Sequence, residues 1–142
     1  MSAWVVDASI LAKLVYPERG SEAVDEFVER HRADGDTLHA PELLCLESAS
    51  VGMKKTGAGE GDAEAARILL GLVEQLGIRL WSDERLAAAA LEYALGLGLS
   101  VYDSAYVSVA EHVDGVLVTA DAALVARVAG TKIEDRVRLV PG

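Results

Sequence analysis

Four carboxylates in this chain stand where chemistry could be done with them. Asp7 ends the apolar run Trp4-Val5-Val6 and is followed by Ala8 and Ser9. Asp121 ends Val116-Leu117-Val118-Thr119-Ala120 in a similar way, with the Thr119 hydroxyl two residues before it. Glu47 has Leu43, Leu44 and Val51 as neighbours at helical spacing, so it projects from an apolar side, where an ionised acid is costly unless paired or bound to metal. Asp103 flanks the apolar face of another helical stretch, near Ala110. Hard oxygen donors with no His or Cys beside them suit Mg2+ or Mn2+ rather than zinc. A cation so held polarises a phosphate, orients it and lowers the pKa of a bound water, which makes a nucleophile without a histidine base. No Ser/His/Asp or Cys/His set competes with this chemistry.

Each acid also has a structural reading. Asp7 and Asp121 can N-cap the helices that follow them. Ser100-x-x-Asp103 has capping-box spacing, although Asp is a poorer partner than Glu. Glu47 can be a helix flank with a salt-bridge partner, and Glu42, in the first turn of the same helix, suits the helix dipole. Capping does not explain the combination, in which two acids end separate strands, one lies near a helix start and one on an apolar helix face. In a parallel sheet these positions can converge on the carboxyl-end cleft, where α/β proteins bind ligands. His31, His39 and His112 show no ligand spacing and read as surface or helix-end residues.

The elements that must position these acids alternate. Strands are expected at residues 4–6, 37–40, 78–81, 116–118 and 137–140, the first a short continuous apolar run of the kind buried on both faces. Helices are expected at 8–16, from an N-cap at Ser21 to about Ala33, from Pro41 to about Thr56, at 62–76, from Ser82 or Asp83 through Leu95, at 102–113 and at 121–129. Pro41 is read as the first residue of its helix, and Pro141 as the end of the last strand. Within 62–76 the apolar side is Ala66, Leu69, Leu70 and Val73; within 102–113 it is Tyr102, Ala105, Tyr106, Val109, Ala110 and Val113. Gly57-Ala58-Gly59-Glu60-Gly61 follows a helix and lacks the Lys-Ser/Thr ending of a phosphate loop, so it reads as a plain break. Strands alternating with helices give one domain over residues 1–142, an α/β/α sandwich around a parallel sheet of about five strands.

Composition narrows the partners. The 142 residues carry a net charge of −10, which argues against a protein held on nucleic acid by a basic surface. A nuclease stays open, because a bound divalent metal supplies positive charge where the phosphate sits. Lys13, Arg19, Lys54, Lys55 and Arg85 read equally as phosphate contacts or as ordinary solvated charges. Cys45 is the only cysteine; it excludes an internal disulfide, fits a reducing compartment and is expected to be a buried structural thiol. There is no signal-peptide pattern and no apolar stretch near the ~20 residues of a membrane helix. The expectation is a soluble cytoplasmic protein.

With these residues in hand, the chain resembles the PIN-domain family, and within it the VapC-type toxins of toxin–antitoxin pairs. The resemblance rests on Val5-Val6-Asp7-Ala8-Ser9, Pro41-x-Leu43-x-x-x-Glu47, Tyr102-Asp103-Ser104-Ala105-Tyr106 and Val118-Thr119-Ala120-Asp121, in that order. It implies a metal-dependent endoribonuclease, with Asp7, Glu47, Asp103 and Asp121 as catalytic and metal-binding residues around Mg2+ or Mn2+. It implies that Ser9 and Thr119 support the site through their hydroxyls. It further implies a homodimer, a cognate antitoxin that inserts a segment into the active-site groove, and a structured RNA substrate such as tRNA or rRNA. Ser50 departs from the Asn often found three residues after the glutamate. Two other readings stand beside this one: a PIN fold that binds RNA or protein without catalysis, and an aspartyl-phosphate phosphotransfer domain. The second lacks its motifs, because Ser9 replaces the second acid of the haloacid-dehalogenase pattern.

Overall fold

The computed structural model describes residues 1–140. Five short strands form one parallel sheet: β1 (Ala3–Val6), β2 (Thr37–Pro41), β3 (Arg79–Trp81), β4 (Val116–Thr119) and β5 (Val137–Leu139). Their spatial order is β3-β2-β1-β4-β5. The two strands that carry Asp7 and Thr119 are therefore neighbours at the centre, with Val6 opposite Val118. Seven helices connect them: α1 (Ala8–Val15), α2 (Ser21–Ala33), α3 (Leu43–Gly57), α4 (Ala63–Gln75), α5 (Asp83–Leu97), α6 (Val101–His112) and α7 (Ala122–Val128). This is the single α/β sandwich that the alternation predicts. Among the described residues, no helix is long and apolar enough to cross a membrane.

Strand alternation decides which helices cover which face. Trp4 and His39 occupy successive registers of the β1–β2 ladder and so point to opposite faces. Trp4 packs edge-on against Phe27 and beside His31 of α2. On the other face, Trp81 donates its Nε1–H to Nδ1 of His39 at 3.2 Å and lies edge-on to His112 of α6. The sheet interior is Val5, Val6, Leu117 and Val118, all essentially inaccessible.

Several local expectations change. Pro41 does not open α3: it pairs with Trp81 as the last residue of β2, and Glu42 takes the cap position. Glu42 Oε1 accepts from Asp83 N–H, and Asp83 Oδ1 accepts from Leu43 N–H, so α3 and α5 cap each other. Gly20, at φ 90°, replaces Ser21 as the N-cap of α2; the Ser21 hydroxyl instead ties Glu18 N–H to the Tyr16 carbonyl. In α4 the buried side is Leu69, Leu72 and Val73, with Leu70 exposed. α6 has no single apolar face: Ser104 through Ala110 are all buried, because the helix is packed against α5 as well as the sheet, whereas Tyr102 is 67% exposed. A 3-10 turn at Glu134–Arg136, not anticipated, precedes β5. Cys45 is only partly buried against the core. His39 is a core residue rather than a surface one; Trp81 occupies its Nδ1, so Nε2 bears the proton and donates to Thr37 Oγ1. Pro141 lies outside the described residues.

Gly115 marks the closest approach of β4's lead-in to β1. A Cβ there would sit 2.4 Å from the Ala3 carbonyl oxygen. Gly115→Ala is expected to destabilise the fold by about 1–3 kcal/mol, the usual cost of forcing a methyl into filled space. Gly71→Ala, on an exposed side of α4 with nothing within 4 Å, is expected to stabilise it by roughly 0.5–1 kcal/mol. Urea unfolding of both variants checks the two signs; a Gly115→Ala protein as stable as its parent contradicts the packing.

Candidate functional site

Parallel strands put all their carboxyl ends on one edge, and the site forms there. Asp7 follows Val6 directly and caps α1, its Oδ1 accepting from Ile10 N–H at 3.2 Å. The same oxygen accepts from the Ser9 hydroxyl at 2.5 Å, and Oδ2 accepts from the Thr119 hydroxyl at 2.6 Å. Each hydroxyl also accepts a backbone proton from the β4 side: Ser9 Oγ from Ala120 N–H at 3.1 Å, and Thr119 Oγ1 from Asp121 N–H at 3.1 Å. One carboxylate thus ties β1 to the β4–α7 turn by two routes. Burial pushes the Asp7 carboxyl above its ordinary value of 3.8, against the opposing pull of the hydrogen bonds from Ser9, Thr119 and the Ile10 backbone.

Glu47 comes over from α3. It is partly buried, and its Oε1 accepts from the Tyr106 hydroxyl of α6 at 2.6 Å. Burial raises its pKa above 4.5; the Tyr106 hydrogen bond opposes the rise, and the charges of Asp7, Asp103 and Asp83 add to it. Asp103 occupies the first turn of α6. The expected cap is real, but Ser100 makes it, its Oγ accepting from Asp103 N–H at 3.0 Å. Asp121 is exposed and caps α7, with Oδ1 accepting from Ala123 and Leu124 N–H at 3.0 and 3.2 Å. Asp7, Glu47 and Asp103 are close enough to repel one another through Glu47. Asp121 joins them through the Thr119 link, not through any charge acting on Glu47.

None of the four acids is in a salt bridge among the described residues. Three of the five candidate phosphate cations are already engaged: Lys13 and Lys55 both hold Glu18, and Arg85 lies over the Trp81 ring. The donor set, oxygen atoms only with unneutralised charge, fits a hard divalent cation. The carboxylates are spread rather than clenched. The only group of three His, Cys, Asp or Glu ligand atoms within 4.8 Å of one another, among the described residues, is His31, Asp34 and Asp36 on the opposite edge. That group is a structural pin. Asp36 takes protons from Ser2 N–H, Trp4 Nε1 and His31 Nδ1, and these contacts, led by Ser2, hold its carboxyl down at about 2.

Sequence reasoning missed Tyr106 as a site residue, because a tyrosine on an apolar helix pattern reads as core. The available signal was its position three residues after Asp103, on the same side of one helix.

Comparison with known proteins agrees with this fold. The PIN domain family model matches residues 4–130. The chain is 34% identical over 119 residues to the protein named Ribonuclease VapC3 of Pyrobaculum aerophilum, covering 82% of this chain and 88% of that one. The crystal structure of PAE2754 from Pyrobaculum aerophilum superposes with a TM-score of 0.66 at 28% identity, over 92% of this chain and 82% of that one. VapBC-1 from nontypeable Haemophilus influenzae gives a TM-score of 0.62 at 14% identity, over 96% of each chain, a likeness of fold alone. The five-stranded order, the acid-bearing carboxyl edge and the match over most of its length place this chain in the PIN-domain family.

Proposed function

We propose that the protein is a metal-dependent endoribonuclease, the toxin of a toxin–antitoxin pair, hydrolysing phosphodiester bonds in structured RNA such as tRNA or rRNA. The observation that carries this reading is a group of acids gathered at the strand ends with no cation to offset them. A half-buried acid cluster is costly on its own, and a divalent ion removes the cost. Asp7, Glu47, Asp103 and Asp121 are the residues that would hold Mg2+ or Mn2+. When bound, the ion supplies phosphate polarisation and an activated water. The chain's own part is to fix the donors: Ser9 and Thr119 hold both oxygens of Asp7, and the α7 cap holds Asp121. The 34% identity to a protein named as a ribonuclease supports the same chemistry.

The partner reading has its own support. Leu46 and Met53, seven residues apart on α3, are 79% and 73% exposed, and Leu95 of α5 is 72% exposed. Side chains seven apart share one helix face, so α3 shows an apolar stripe next to Glu47. A homodimer contact and an antitoxin segment are the occupants this reading assigns to the surface around the site. The structural neighbour from Haemophilus influenzae is titled as VapBC-1, and that from Neisseria gonorrhoeae as FitAcB.

Asp7→Asn keeps the shape and removes the charge. It is expected to stay folded and to lose RNA cleavage by more than about 100-fold, the upper end for loss of a group that only supports a metal ligand. Assaying purified, partner-free protein on total RNA with Mn2+ and then with chelator checks this. Cleavage that persists in chelator sinks the metal reading, and RNA binding without cleavage points to a binding module.

A second expectation concerns pH. The raised values of Asp7 and Glu47 mean that the metal-free native state holds these protons more tightly than the unfolded chain. Metal-free protein is therefore expected to lose stability as pH rises from the ordinary carboxylate values of 3.8 and 4.5 through the raised ones. Asp36, held at about 2, works the other way only below its ordinary value of 3.8. Millimolar Mn2+ should flatten the upper slope and raise the melting temperature, by mass action on the native state. Thermal melts across this range, with and without the ion, check both; identical curves argue against a formed site.

A further inference from the structure

Tyr106 is a hydroxyl the proposed chemistry does not use, and its setting is specific. It lies on α6 three residues after Asp103, so both project from the same side of the helix. It is 3% exposed, yet its hydroxyl reaches out of the core to Glu47 on α3, across 59 residues of chain. The bond is 2.6 Å long and goes to Oε1 alone. Burial, then the hydrogen bond to Glu47 and the charges of Glu47, Asp7 and Asp103, push the phenol far above its ordinary value of 10.0. Glu47 has no other protein hydrogen bond among the described residues, so nothing else fixes a side chain with three rotatable bonds.

We propose that Tyr106 is a positioning residue for Glu47: its hydroxyl holds Oε1 and so presents the other carboxylate oxygen toward Asp7 and Asp103 for the cation. This rests on the reading of Glu47 as a metal ligand. Carboxylates that bind metals are commonly oriented by such hydrogen bonds, and losing one costs roughly 10–100-fold in metal affinity. The tie also joins α3 to α6, the helices that carry Glu47 and Asp103. The same oxygen therefore sets both the rotamer of one donor and its distance from another.

The test is Mn2+ binding by calorimetry, with no RNA present, on wild type, Tyr106→Phe, Glu47→Gln and the double variant. Phe keeps the ring in the core and removes one oxygen, and a metal-free melt within a few degrees of wild type verifies folding. Tyr106→Phe is expected to weaken binding about tenfold, and to change it less than about twofold once Glu47 is already Gln, because the hydroxyl acts through that carboxylate. Glu47→Asp, which draws the carboxylate back from the hydroxyl, gives an independent arm: it should weaken binding similarly, with Tyr106→Phe adding little on top. Wild-type affinity in Tyr106→Phe, or the same loss with and without Glu47, overturns the positioning role while leaving the metal site intact. Wild-type affinity in Glu47→Gln overturns the ligand assignment itself, and no binding by wild type overturns the metal reading.

Discussion

The hydrogen bonds from Ser9 and Thr119 to Asp7 are the contacts on which the site depends. Strand pairing aligns β1 with β4 but does not fix what happens after the last ladder position. The two hydroxyls do. Each donates to the carboxylate and accepts from the backbone of the β4–α7 turn. A serine or threonine hydroxyl can donate once and accept twice, so it joins an anion to an amide where no direct bond could form. Hydrogen bonds to a charged acceptor are also the stronger kind. Asp121 is placed by the same device, because its own backbone N–H ends one of the two chains.

Holding that carboxylate has a cost. Burial at Asp7 outweighs the hydrogen bonds that favour its charge, and at Glu47 the nearby acids add to burial. Lys13 and Lys55 are bound to Glu18 rather than to any of the four acids. The stability that offsets this arrangement comes from elsewhere, chiefly a central sheet whose interior valines and leucine are wholly shielded. A cluster that opposes folding is what the proposed cation would relieve.

How much of this the chain discloses depends on the range of the interaction. Asp7 and Asp121 are legible because an apolar run ending at an acid is a local pattern. Glu47 is legible because an acid at helical spacing from Leu43, Leu44 and Val51 breaks a local rule. The parallel sheet follows from alternation alone. What stays hidden is set by partners distant in sequence. His39 reads as a surface residue until Trp81, 42 positions later, is found donating to it. Pro41 reads as a helix start until β3 pairs with it. α6 shows no clean apolar face because it is enclosed on more than one side, and periodicity reports only half-buried helices. Tyr106 is the sharpest case: its ring obeys the core pattern, and only its hydroxyl, reaching α3, breaks it.

The capping reading of these acids and the proposed metal reading, alternatives in the sequence, are compatible in the fold. Asp7 and Asp121 cap α1 and α7, and Asp103 lies in the first turn of α6. All three helices begin at the carboxyl edge of the sheet, because each follows a strand there or runs back toward the start of the next. Helix N-termini carry partial positive charge and unsatisfied N–H groups. They orient Asp7 and Asp121 through backbone amides. They also supply part of the positive field that the cluster otherwise lacks. Partial charges at the helix ends cannot neutralise a group of full negative charges, and at Glu47 the charges of Asp7 and Asp103 still add to the rise that burial causes. A capping role therefore does not compete with a ligand role. At Asp7 and Asp121 it limits the carboxylate's freedom before the proposed cation would bind. Glu47 is the exception, since it sits one turn inside α3 and beyond the reach of that helix's first amides, and it is the acid that a tyrosine side chain holds instead.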